Sequence, residues 1–309
     1  MRLTLSLAIA ALVVGATVLG HRDGGRVELA GSSTMLPIVE WTLYRVVDDA
    51  SIGATSYAAV GSGAGIARLL AGEVDVAASS RPMKLTELAA AMSAGVSPVG
   101  VVIGYDAVSI VVPESNTWAT NLTHDELRRA MSTAIAWSDV RSSFPPYPIV
   151  RFVPGADSGT LDFIAEALFD GDPAPMLSAS RVQFSEDDHV LARGVADNRD
   201  AIGFFGHAYA HRLPGTGVRT VAIDGITPDT EAVRHGAYPF VRPLSIYSTE
   251  YTLRHRPEVV ALFGAFLRQA AEAVAVSGYF DAADTTIAEG IARVAEYRRD
   301  AADDGERVR

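Results

Sequence analysis

The chain has 309 residues, 49% of them apolar and 20% charged, with 27 Gly, 15 Pro and no Cys. That length suggests about two domains of ~150 residues, each able to bury a core, and the composition excludes a disordered, collagen-like or coiled-coil protein. A balance of 26 Lys+Arg against 37 Asp+Glu leaves a net charge of −11 with no basic run, which excludes nucleic acid as a natural partner, and the lack of Cys removes disulfides, thiolate metal sites and thiol catalysis.

Arg2 precedes an uncharged run, 3–20, which ends at His21-Arg22-Asp23. As a helix the run would span ~27 Å, barely a bilayer's hydrocarbon thickness. A basic start, an apolar stretch and a polar exit read as a signal peptide. Val18 and Gly20 suit a cleavage pocket, but no Ala-x-Ala is present, so an uncleaved N-terminal anchor and a buried core helix stay open. The first two place the folded part in the periplasm or another extracytoplasmic space.

From residue 27 short apolar runs alternate with amphipathic segments, the pattern of an α/β protein with mostly parallel strands. The pattern predicts strands at 27–30, 55–60, 74–78, 99–103, 108–112, 149–153, 202–205, 218–223 and 245–247. It predicts helices at 35–46, 65–70, 84–94, 124–131, 161–169, 188–196 and 257–277. The last is the clearest: Val260, Phe263, Phe266, Leu267 and Ala270 recur at helical spacing, with Arg268 and Glu272 off that stripe. The tail, 301–309, is charged and expected to fray.

Four small-residue loops each join a predicted strand to a helix: Gly31-Ser-Ser-Thr34, Gly61-Ser-Gly-Ala-Gly65, Ala78-Ser-Ser-Arg81-Pro82 and Gly155-Ala-Asp-Ser-Gly-Thr160. The first N–H groups of a helix have no intrahelical partner and carry about +0.5 charge. Small residues let an anion approach them, and hydroxyls add donors. Any one loop reads equally as an N-cap; four in one chain point to a shared tetrahedral oxyanion. Because a net-acidic protein repels anions at long range, affinity must come from short, desolvated hydrogen bonds. Arg81 could add a bidentate donor, or lie in a surface salt bridge. Asp157 could accept the proton of a protonated oxyanion, which sulfate lacks at neutral pH, or cap the helix beginning near Ser158.

In this order the segments 31–37 (GSSTMLP), 61–66 (GSGAGI), 74–84 (VDVAASSRPMK), 121–127 with 137–139 (NLTHDEL and WSD), 154–160 (PGADSGT), 186–191 (EDDHVL), 201–209 (AIGFFGHAY) and 238–247 (YPFVRPLSIY) resemble the PstS-like phosphate-binding proteins of phosphate ABC importers. The resemblance covers about residues 28 to 250. It implies an α/β, two-lobed periplasmic-binding-protein fold of type II, each lobe a mostly parallel sheet flanked by helices, with the ligand in the cleft between them. Lobe 1 would comprise 27–109 with 243–300, and lobe 2 would comprise 110–242, with bridging strands near 108–112 and 241–247. The resemblance further implies that Ser33 and Thr34 are the first loop's donors, Ser62 the second's, and Ser158, Gly159 and Thr160 the helix start that holds the anion from the other lobe. Ser80 stands where the best-known form has an acidic residue, and the Arg usually just before Ser-Gly-Thr is displaced to Arg151. Arg81 is therefore expected to supply the cation and Asp157 the acceptor.

Other patterns carry less. Gly61-x-Gly63-x-Gly65 is neither GxGxxG nor a P-loop. His207 and His211 have the spacing of a helical zinc pair without the Glu of HExxH. Glu186-Asp-Asp-His189 reads as a polar helix start. Thr123 and Glu126 form a capping box. The sequence thus predicts a monomeric phosphate carrier that serves an ABC permease, without enzymatic activity, cofactor or metal, touching the membrane only through an uncleaved leader. The alternatives are a carrier of another oxyanion, a membrane-displayed phosphate sensor and a secreted phosphatase.

Overall fold

The computed structural model describes residues 26–155, 158–185, 187–212 and 217–307. The expected leader at 1–20 and Asp157 lie outside the described residues.

The chain opens with β1 (Arg26–Gly31), a 3-10 turn (Ser33–Met35) and α1 (Leu36–Arg45), where Pro37 fits a helical first turn. There follow β2 (Ala54–Ala59), α2 (Ser62–Leu70), β3 (Val76–Ser79) and α3 (Leu85–Ser93). β1 pairs in parallel with both β2 and β3. Val76–Ser79 is buried throughout, as a strand covered on both faces requires. α2 starts three residues earlier than its apolar stripe suggests, because Gly61 at φ 90° turns the chain directly into the helix.

The predicted strands 99–103 and 108–112 are one element, β4 (Pro98–Pro113). The intervening Gly104, Tyr105 and Asp106 stay extended because β11 pairs along the first part of the strand, from Thr249↔Pro98 to Val241↔Ala107. Next come β5 (Asn121–Leu122), α4 (His124–Ala130), α5 (Trp137–Val140), β6 (Val150–Pro154), α6 (Gly159–Phe169), α7 (Ala174–Leu177), β7 (Val182–Ser185), α8 (Asp188–Ala196), β8 (Ala201–Gly206) and α9 (His207–Arg212). Thr123 and Glu126 form the expected capping box on α4. The predicted strand at 218–223 divides into β9 (Val218–Thr220) and β10 (Ala222–Ile223), which pair with different partners, β4 and β5. The chain closes with α10 (Thr230–Arg234), β11 (Val241–Thr249), α11 (Glu250–His255), α12 (Pro257–Ser277), β12 (Phe280–Asp281) and α13 (Asp284–Arg307). The backbone of the tail expected to fray is helical to Arg307.

Among the described residues the main sheet runs in the order β2-β1-β3-β11-β4-β8-β6-β7, with β9 and β12 also on β4. The flanks are parallel, but β11 is antiparallel to both neighbours and β4 is antiparallel to β8, so the centre is mixed. Two main cores lie on either side of that centre. One gathers Val27, Leu29, Val76 and Ile246 with the apolar face of α12; the other gathers Ile110, Trp137, Ile164 and Phe204. α12 has the length and hydropathy of a membrane span, yet Phe263, Phe266 and Leu267 are all but fully buried inside the protein. β4 contributes to both cores, which makes it and its partner β11 the structural bridge of the molecule.

Candidate functional site

The first loop is possible only with glycine at its start. A Cβ on Gly31 would stand 1.8 Å from the carbonyl oxygen of Ala78 on the neighbouring strand. That close approach lets the amide of Ser32 donate to the same oxygen, and Ser32 Oγ then caps the turn by accepting from the Thr34 amide at 3.2 Å. The turn is fixed from outside as well: Tyr57 OH donates to the Ser32 carbonyl at 2.6 Å and Tyr279 OH to that of Thr34 at 2.9 Å.

Two further loops meet this one through hydroxyls. Ser80 Oγ lies 2.9 Å from Ser32 Oγ and 3.3 Å from Ser62 Oγ, and Ser62 Oγ accepts from the Ser80 amide at 3.1 Å. Gly65 allows α2 to come this close, since a Cβ there would stand 2.6 Å from Gly31 Cα. The fourth loop faces them from the far side of β4, where Ser158 caps α6 by accepting from the Thr160 amide at 3.2 Å.

Between these two sides stands Arg242. On β11 it is the direct register partner of Asp106 on β4. Its Nε and Nη2 donate to Asp106 Oδ2 at 3.0 and 2.8 Å, and both side chains are buried. The guanidinium also donates to Thr34 Oγ1 at 3.2 Å on one side and to the Gly159 carbonyl and Thr160 Oγ1 at 3.3 and 3.5 Å on the other. One cation therefore ties the first loop to the start of α6. Asp106 Oδ1 accepts no hydrogen bond among the described residues. Burial pushes the Asp106 carboxyl up, while the charge and hydrogen bonds of Arg242, and then the Ala107 amide, pull it down.

A cavity of about 410 Å³ opens here, lined by Ser33, Thr34, Ser158, Gly159 and Thr160 together with Arg242, Asp106 and Asp188. Asp188, half-buried at the start of α8, has its carboxyl pushed up to about 6, first by burial and then by the facing charges of Asp106 and Asp187. Tyr209 from α9 lines the same cavity and hydrogen-bonds His189.

Of the residues singled out in the sequence, Ser33, Thr34, Ser158, Gly159 and Thr160 thus share one cavity. Ser62 and Ser80 sit behind the first loop and support it through Ser32. Arg81 is elsewhere: its guanidinium forms a fork with Glu87, at 2.9 and 2.7 Å, and donates to the Pro82 carbonyl. This bond to Glu87 raises the Arg81 pKa and lowers that of Glu87. Arg81 was expected to supply the cation; its guanidinium pairs with Glu87, and the guanidinium that lines the cavity is that of Arg242. Arg151, the other displaced cation, is wholly buried and donates to the carbonyls of Ala130, Ala134 and Ser180. Burial draws its pKa down to about 10. It braces β6 and does not reach the cavity.

Sequence reasoning passed over three groups: Arg242, Asp106 and Asp188. The first two carried a readable signal, a lone charge within each of two apolar strand segments. Asp188 was read only as a helix-start acid, and nothing local distinguishes it from Asp187.

A family profile described as the PBP superfamily domain matches residues 16–270. Protein SphX of Synechococcus elongatus is 32% identical over 231 residues, a match covering 71% of this chain and 67% of that protein. The phosphate-binding protein PstS of Staphylococcus haemolyticus is 28% identical over 235 residues, covering 74% and 72% respectively. Among solved structures, a possible phosphate binding protein from Planctomyces limnophilus superposes with a TM-score of 0.73 at 29% identity, covering 89% of this chain and 99% of that one.

Proposed function

Because the chain belongs to the PBP superfamily, as a PstS-like protein with the two-lobed type II fold, we propose that it captures inorganic phosphate outside the cytoplasm and delivers it to an ABC permease. The observation that carries this reading is the meeting of two capped loops on one buried guanidinium, Thr34 from one side and Thr160 from the other, around a single cavity. Such an arrangement gains donors when the two sides close on a tetrahedral anion, so ligand binding favours the closed state. Hydrogen bonds to an ionised partner contribute about 1.5–3 kcal/mol each, so several of them outweigh the ordering cost of binding.

The proposed anion donors are Ser33, Thr34, Ser158, Gly159 and Thr160 with Arg242. Residues 27–109 with 243–300 would form one lobe and 110–242 the other, hinged on β4 and β11. The role needs no turnover: the loop hydroxyls Ser32, Ser62 and Ser80 bond to one another and to backbone amides rather than to a general base. The first 20 residues would export the protein, as a signal peptide or as an anchor. Isothermal titration tests the reading: phosphate should bind with micromolar or tighter affinity and sulfate at least a hundredfold more weakly. Equal competition by sulfate would reassign the ligand to another oxyanion.

A further inference from the structure

Resting on the phosphate reading and its two lobes, we infer that the segment 279–281 is a third connection between the lobes, in which Tyr279 is a positioning residue for the anion loop and Phe280 makes that position depend on lobe 2. By chain order the segment belongs to the lobe built from 27–109 with 243–300. Its contacts are divided between the two.

The end of α12 places it. Gly278, at φ 77°, closes the helix in the left-handed conformation. Its amide donates to the Ala275 carbonyl and the Tyr279 amide to the Val274 carbonyl, each at 3.0 Å. Tyr279 therefore leaves a buried core helix in one fixed direction. It lines the cavity, and its hydroxyl donates to the Thr34 carbonyl at 2.9 Å. That bond fixes the peptide after Thr34, whose own hydroxyl accepts from Arg242 and so keeps its proton for an anion.

The next two residues belong by their contacts to the other lobe. β12 pairs with β4 at Tyr105 and Gly104. Phe280 is 8% exposed and is part of the core of Ile110, Trp137, Ile164 and Phe204. Its ring lies 5.0 Å from that of His207 at the start of α9, and His207 Nδ1 is in turn 2.8 Å from Ser109 Oγ. Asp281 pairs with Arg234 on α10. Three consecutive side chains thus hold the anion loop of one lobe, and the core and an outer helix of the other.

Relative strengths decide how this strap works. A buried phenyl ring outweighs an ion pair as exposed as Arg234–Asp281, with side-chain exposures of 44% and 36%, so Phe280 carries the attachment to lobe 2. Phe280 does not line the cavity, and its effect on the first loop must pass through Tyr279. A displacement of lobe 2 is handed along the backbone from Phe280 to Tyr279 and on to the turn at Ser33–Met35. Closing the lobes and seating Thr34 against the anion are thereby one event.

Hydrogen exchange of the ligand-free protein and stopped-flow kinetics of phosphate binding test this on Tyr279→Phe, Phe280→Leu and the double variant. Tyr279→Phe removes only the hydroxyl and Phe280→Leu keeps the seat apolar, so all three should fold. Each single variant should speed amide exchange at 33–36 by about threefold to tenfold, the factor of one neutral hydrogen bond, and leave α6 unchanged. Each should raise the phosphate dissociation rate by a similar factor, with the association rate little altered. The double variant should match Tyr279→Phe, because both substitutions act through one contact. No change at 33–36 in either single variant, or effects that multiply in the double variant, would overturn the strap and leave the phosphate reading intact. A folded wild type that binds no phosphate would defeat the phosphate reading, and the exchange data would still decide the strap.

Discussion

Arg242 and Asp106 face each other as register partners across β11 and β4, and both guanidinium contacts fall on one carboxylate oxygen, Oδ2. The pair sits where the sheet passes from one core to the other, so a single buried ion pair both closes the bridge and presents a cation to the cavity. Removing one partner of a buried pair is costlier than the pair is worth, because the remaining charge is stranded.

Arg242→Ala should accordingly lower stability by about 3–5 kcal/mol and abolish phosphate binding. Arg242→Lys keeps the charge but loses the planar fork that spans Asp106, Thr34 and Thr160. It should retain the fold and bind phosphate at least tenfold more weakly. Urea denaturation and calorimetry on the two variants check this; unchanged affinity in both would remove Arg242 from the site.

Arg81→Ala should be mild. The Arg81–Glu87 pair is partly exposed, with side-chain exposures of 27% and 21%, so its loss should cost at most ~1 kcal/mol. Phosphate affinity should stay within about threefold of the wild type, a change of under ~1 kcal/mol. Complete loss of binding would restore Arg81 as an anion ligand.

Two glycines should respond in opposite ways. Gly31→Ala drives a Cβ into the Ala78 carbonyl, so strand β1 must shift and the protein should be destabilised by more than ~3 kcal/mol. A Cβ on Gly159 meets nothing within 4 Å, and alanine is the better helix former. Gly159→Ala should keep or slightly raise the melting temperature while weakening phosphate binding, because the methyl group takes up cavity space at the start of α6. Equal effects of both substitutions on stability would show that the close approach is not the constraint.

Asp188 also sets a pH dependence of stability. Its carboxyl is raised from 3.8 to about 6 in the folded protein, so the folded state binds its proton more tightly than the unfolded chain does. Its contribution is therefore favourable below 3.8 and is lost as pH rises through about 6. Without phosphate, Asp188→Asn should melt higher than the wild type at neutral pH, and the difference should vanish in acid. A variant that melts lower at neutral pH would mean that Asp188 is held charged by a favourable partner.

Much of this was legible in the chain. The hydroxyl loops announce themselves because a capped helix start is a local event: Ser32, Ser158 and their target amides lie within two residues. The helices α6, α8 and α12 followed from apolar periodicity. What local reasoning missed depends on distance along the chain. Arg242 meets Asp106 from 136 residues away, and only strand pairing decides that they touch. Arg81 shows the opposite case: Glu87, six residues on, pairs with its guanidinium where the loop pattern alone suggested a ligand contact. The unbroken β4 was likewise hidden, because Gly104 and Asp106 interrupt an apolar run that pairing with β11 keeps extended.

The most direct measurement is a crystal structure of the protein grown with phosphate. One tetrahedral anion is expected between Thr34 and Thr160, within hydrogen-bond distance of the Arg242 guanidinium. An anion held at Arg81, or anywhere away from this cavity, would contradict the account.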